Sequence, residues 1–148
     1  MNKVSRGMFL ICLLSYIPLG WGADNYFSCN TSKGDVSLKT DDHKLIYEMK
    51  RNKGDAFSFS SPAPEYKEFL YNHYSRFQTD YLNVSFEQGG FKYSIFSNYE
   101  DGDSTRGVTV TKLKNNKEYV YNCKDDGVDK LAQLVSKLQC DKDSSLGC

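Results

Sequence analysis

Residues 81–99, YLNVSFEQGGFKYSIFSNY, restrict this chain more than any other stretch. Leu82, Val84 and Phe86 alternate with Asn83, Ser85 and Glu87, the period-two pattern of a half-buried strand. Gly89-Gly90 supplies the two left-handed positions that a two-residue hairpin turn requires. The return arm sets Phe91, Tyr93 and Ile95 on one face against Lys92 and Ser94 on the other, so aromatic and β-branched side chains pair across the strands. The stretch therefore predicts a hairpin with one half-buried face.

The amino terminus reads as an export signal rather than as part of that domain. Lys3 and Arg6 form a basic start, residues 8–19 are an apolar run, and Gly20-Trp21-Gly22 places small residues at the −3 and −1 positions for cleavage before Ala23. The run is shorter than the roughly 20 residues of a membrane-spanning helix, and Pro18 interrupts it, which disfavours a retained anchor. Leu10-Ile11-Cys12 has no small residue before the cysteine, and the apolar run continues past it, so Cys12 is assigned to the discarded leader.

Removing residues 1–22 leaves 126 of the 148, enough for one domain and too few for two. The leader carries two of the 19 basic residues and none of the 19 acidic ones, so 17 face 19 and the remaining formal charge is −2. So neutral a chain does not suit a nucleic-acid or anionic-membrane partner. Four cysteines remain, Cys29, Cys123, Cys140 and Cys148, an even number in an exported chain, which implies two disulfides. Three pairings exist. The economical one joins Cys29, in the opening strand, to Cys123, at the end of the last, and closes a short tail loop with Cys140–Cys148. A four-cysteine metal site would need a C-x-x-C spacing, which the sequence lacks.

Turn residues punctuate the remainder at intervals that suit an antiparallel meander. Strands are expected at 26–29, 35–39, 44–50 and 56–60, followed by a break at Ser61-Pro62-Ala63-Pro64, where backbone donors are missing. Residues 65–77 fit a helical face through Tyr66, Leu70, Tyr74 and Phe77, but their dense aromatics favour a strand from Phe69 onward. Beyond the central hairpin, 100–104 reads as a polar loop, and 106–113 and 118–123 as strands. Asp126 and Asp129 resemble a helix start, and Val128, Leu131, Leu134, Val135 and Leu138 form a stripe, predicting a C-terminal α-helix over about 126–140. The expected fold is mainly β: an antiparallel β-meander closing into a small barrel or sandwich, with one C-terminal α-helix.

No catalytic constellation emerges. His43 and His73 have no G-x-S-x-G elbow to serve, and cysteine parity leaves no free thiol for Cys-His chemistry. His43 reads as a turn residue and His73 as a sheet-face residue. Glu100, Asp101 and Asp103 crowd one turn, where acids are usually solvated rather than held across a cleft. Asp101-Gly102-Asp103-Ser104 and Asp141-Lys142-Asp143-Ser144 alternate oxygens but lack the spacing of an EF-hand. Ten of the 11 tyrosines follow the leader, whereas the single tryptophan, Trp21, lies inside it. Beyond those that fill a core, exposed tyrosines suit a protein-binding surface better than a sugar platform. Asn30-Thr31-Ser32 and Asn83-Val84-Ser85 match the glycosylation sequon, but a bacterial periplasm fits the leader and Asn83 sits within a strand.

With Tyr26-Phe27-Ser28-Cys29 and Tyr119-Val120-Tyr121-Asn122-Cys123 identified, the order of elements from Tyr26 to Cys123 resembles small exported proteins of Gram-negative bacteria. These are the periplasmic lysozyme inhibitors and the immunity proteins that neutralise wall-degrading toxins. The inhibitors' paired loop motifs are absent, and the C-terminal helix with its second disulfide exceeds their barrel, so no inhibitory residue carries over. The resemblance implies a non-enzymatic periplasmic or secreted protein, without cofactor or metal, that binds a cell-wall hydrolase or toxin. Loop 99–107 is the expected contact, with Tyr99 as anchor, Asp101 and Asp103 as charge partners and Arg106 as a fork to carboxylates. A ligand-binding β-barrel or an adhesin-like structural subunit are the alternatives.

Overall fold

A computed structural model describes residues 22–148, so the expected leader lies outside the described residues except for Gly22. The strands are β1 (Asn25–Thr31), β2 (Gly34–Asp41), β3 (Lys44–Arg51), β4 (Ala56–Pro62), β5 (Leu70–Arg76) and β6 (Thr79–Gln88). They continue with β7 (Phe91–Glu100), β8 (Asp103–Lys112), β9 (Lys117–Asn122), β10 (Val128–Asp129) and β11 (Gln139–Cys140). Two sheets result, ordered β10-β1-β2-β3-β4 and β11-β5-β6-β7-β8-β9. All pairings are antiparallel except β11 with β5. The fold is mainly β, and its two sheets face one another across a common core as a sandwich.

The alternation at 81–99 does what it predicts. Leu82, Val84, Phe86 and Ile95 are buried between the sheets, and Gly89 and Gly90 turn the hairpin at φ 61° and 80°. From the facing sheet come Phe27, Val36, Leu38, Leu45 and Tyr47, each at alternate strand positions. One end of the core is a block of rings centred on Phe86, which stacks on Phe59 at 4.3 Å and Tyr93 at 5.0 Å and meets Phe69 edge-on at 5.3 Å. Aromatic side chains therefore pack this end of the core.

Tyr47 is fully buried within this block, and its hydroxyl has no hydrogen-bond partner among the described residues. Burial, and secondarily the neighbouring Tyr93, push its ionisation well above the ordinary phenol range. Tyr47→Phe is therefore expected to leave stability unchanged or raise it by about 1 kcal/mol, because an unmet buried hydroxyl costs about that much. The pH dependence has a defined sign. The unfolded phenol ionises near pH ~10 and the folded one only at higher pH, so stability is complete below that value and falls as pH rises through it. Tyr47→Phe should flatten this alkaline loss in thermal melts, and a variant that melts several degrees lower at neutral pH would contradict the assignment.

Two expectations require correction. The α-helix over 126–140 is replaced by β10, a 3-10 helix over Leu131–Lys137 and β11. Gly127 lies at φ 32° against the Ser28 carbonyl, where any Cβ would collide, and Val128 and Asp129 pair with Ser28 and Phe27. Pairing with β1 thus takes the residues that would have started an α-helix. The apolar stripe keeps its purpose, since Leu131 and Leu134, three apart, share one side of a three-residue turn and are buried. The polar loop over 100–104 is likewise only a two-residue turn, Asp101-Gly102, with both residues left-handed at φ 49° and 101°. That is the hairpin geometry an Asp-Gly pair favours.

The cysteines adopt the economical pairing, Cys29 with Cys123 (Cα–Cα 5.5 Å) and Cys140 with Cys148 (6.1 Å). The first joins β1 of one sheet to the residue following β9 of the other. The second closes a tail that seals the β5 edge: Asn72 Nδ2 donates to the Asp141 and Gly147 carbonyls at 2.9 and 3.1 Å. Asp141, in one of the runs considered for calcium, accepts from Lys92 Nζ at 2.7 Å and from the Asp143 N–H at 3.2 Å. Disulfides suit an oxidising compartment, and among the described residues no helix is long and apolar enough to cross a membrane.

Candidate functional site

Two adjacent hairpin turns form one end of the six-stranded sheet. The β5–β6 turn is Phe77-Gln78 and the β7–β8 turn is Asp101-Gly102. The Asp101 N–H donates to the Gln78 carbonyl at 2.9 Å and clasps the two turns together. Gln78 takes the left-handed position at φ 56° that glycine usually fills, so the turn is held by its surroundings rather than by its own preference. Phe77 stands at the apex with 87% of its surface exposed, the most exposed large apolar side chain of the described residues.

The flanks of this tip are aromatic and acidic. On the inner register, Tyr99 is 41% exposed and lies opposite Asp80 and Ser104. Asp80 in turn meets His73 Nε2 at 3.1 Å. On the outer register, Tyr74 and Tyr81 stack at 6.1 Å, and the Arg76 guanidinium lies 5.7 Å from the Tyr74 ring. Tyr81 is hydrogen-bonded to Glu100, and this bond chiefly, with some desolvation, raises its ionisation above the ordinary phenol value. A shallow cleft of about 460 Å³ is lined by Tyr81, Asn98, Glu100, Asp101, Asp103 and Thr105. Asn98 lines it, and its Oδ1, shielded from solvent, accepts no hydrogen bond among the described residues. The tip thus presents an apolar apex, ring faces and carboxylate acceptors side by side.

Of the four expected contact residues, Tyr99, Asp101 and Asp103 belong to this tip. Arg106 does not. It lies opposite Ser97 on β8, and its Nη2 donates to the Asp125 carbonyl at 3.0 Å, tying the sheet to the crossover between β9 and β10. Phe77 is the residue that sequence reasoning missed. Arg76-Phe77-Gln78-Thr79 contains no glycine, asparagine or proline to announce a turn, so Phe77 reads as one more alternating aromatic. The Asp101-Gly102 turn did carry its signal.

Two other concave regions are internally paired. A cleft of about 510 Å³ is lined by Tyr26, Thr40, His43, Tyr66 and Lys137, among others. There Lys137 Nζ donates to the Tyr26 hydroxyl at 2.7 Å, a bond that chiefly raises the lysine's ionisation above its ordinary value. A groove of about 460 Å³ on the outer face of the five-stranded sheet holds an Asn30–Asp35 hydrogen bond at 2.7 Å and a Lys39–Glu48 ion pair at 2.9 Å. His73 lines neither. Compared with protein-family models, with curated protein sequences and with solved structures, the chain matches none.

Proposed function

We propose that this is a non-enzymatic periplasmic or secreted binding protein that inhibits a cell-wall hydrolase or toxin by seating its double-hairpin tip in the partner's cleft. The observation that carries this reading is Phe77, an 87% exposed ring at the apex of two clasped two-residue turns. Burying a ring of that size is worth about 1.5–3 kcal/mol, and the short turns leave little backbone freedom to lose on association. Tyr99 beside it gives area and a hydroxyl, a combination favoured at interfaces. Glu100, Asp101 and Asp103 give the rim a negative field suited to a cleft with cationic walls, which speeds encounter more than it tightens the complex. The stacked rings around Phe86, which occupy one end of the space between the sheets, also favour a surface contact over a small ligand held there.

The test is capture of a hydrolase by the oxidised 23–148 chain, followed by titration with variants. Phe77→Ala is expected to weaken the complex by about 2 kcal/mol, roughly 30-fold, mainly through faster dissociation. Its melting temperature should barely move, because an exposed side chain at a turn contributes little to folding. Wild-type affinity in Phe77→Ala would refute the tip as the contact.

A further inference from the structure

The sandwich has four sheet edges, and they are not treated alike. Two are covered by the short strands: β10 lies against β1, and β11 against β5. A third, β4, is blunted where Pro62 has no N–H to offer and its carbonyl accepts from Tyr66 at 3.1 Å. The fourth is β9, which among the described residues pairs only with β8. It has no proline, and Tyr119 and Val120 are 39% and 55% exposed.

The register shows which backbone groups are unpaired. The Cys123 N–H donates to the Arg106 carbonyl at 2.8 Å, which makes Cys123 and Arg106 a hydrogen-bonded pair. Counting back along the ladder, Tyr121 and Tyr119 also direct their backbone groups at β8. The N–H and C=O groups of Glu118, Val120 and Asn122 therefore point away from the sheet.

We infer that β9 is a self-complementary edge through which two copies of this chain join antiparallel, with Val120 on the two-fold axis. In this register Val120 pairs with its own mate and Glu118 with Asn122, so each of those outward groups finds a partner. The registers shifted by two residues leave some of them unmet. The same alignment sets Tyr119 opposite Tyr121 at the closer, non-hydrogen-bonded positions, where rings pack best. It places the Glu118 carboxylate opposite the Asn122 amide, a donor, and brings no like charges face to face. A second copy satisfies this edge because the sequence of β9 is complementary to itself in that one alignment. The joined sheet runs from β11 of one copy to β11 of the other, and the antiparallel arrangement directs the two Phe77 tips in opposite directions.

Sedimentation equilibrium of the oxidised 23–148 chain, extended to high micromolar concentration as a small interface requires, should give a mass approaching twice that of the monomer. Val120→Pro removes an outward N–H without touching the β8 ladder and should raise the dissociation constant more than about tenfold, since both hydrogen bonds on the axis are lost. Val120→Lys sets two ammonium groups opposite each other on the exposed face. It should have the same effect, and it decides the matter if the proline variant fails to fold. A wild-type chain that stays monomeric throughout, or a folded Val120→Lys chain that dimerises as well as wild type, overturns the inference.

Discussion

Replacing Cys29 and Cys123 together with alanine is expected to remove about 4–5 kcal/mol of folding stability, as much as a marginal domain of this size holds in reserve. The two residues are separated by 94 positions, so the bond closes a loop that takes in most of the domain. In the chain-entropy account its contribution comes from the many unfolded conformations it forbids, and that number grows with loop length. The native side adds a reason particular to this fold. Cys29 sits at an inward position of β1 and is buried, while Cys123 begins the crossover from β9 to β10, so the bond joins the two sheets where the chain itself passes between them. The tail pair offers an internal comparison. Cys140 and Cys148 are only 8 apart, and removing them should cost about 2–3 kcal/mol. Urea denaturation of both double variants measures the difference directly. Equal losses, or a larger loss from the tail, would show that the long bond does not constrain the unfolded chain in this way.

Phe86→Ala carries the other large effect, an expected loss of about 3–5 kcal/mol. Phe86 is almost wholly buried and touches rings from both sheets: Phe59 at 4.3 Å and Tyr47 at 5.0 Å on one, Tyr93 at 5.0 Å on its own, and Phe69 at 5.3 Å from the connection that precedes β5. Truncating it removes one ring's transfer energy and opens a cavity that five rigid neighbours, including Phe57, cannot easily refill. Phe86→Leu keeps most of the volume and should lose less than half as much. A Phe86→Ala chain whose denaturation midpoint shifts by less than about 1 kcal/mol-equivalent would mean that the surrounding rings close over the gap, contrary to the stacked geometry.

Much of this architecture is legible along the chain itself, because a strand's alternation is a local property. The repeat through Leu82, Val84, Phe86, Tyr93 and Ile95 states which side chains face inward, and Gly89-Gly90 states where the direction reverses. Of the three pairings that four cysteines allow, the fold adopts the economical one, Cys29 with Cys123 and Cys140 with Cys148. Tyr99, Asp101 and Asp103 are also legible as neighbours, since they bracket a single turn.

The rest depends on which elements become neighbours, and no local pattern encodes that. Val128 and Asp129 form a strand instead of helix because β1 offers them an edge, and the stripe that follows settles for a 3-10 turn that still buries Leu131 and Leu134. Arg106 faces Asp125 because the crossover from β9 passes beside β8. Phe77 becomes an apex only because Gln78 is forced left-handed and the next hairpin clasps it. Sequence alone determined the long strands from β1 to β9 and which of their side chains face inward, because alternation and turn residues are properties of spacing along one chain. Tertiary structure alone decided which edges are sealed, which charges are already engaged and which ring stands exposed, because those depend on contacts between residues far apart in sequence.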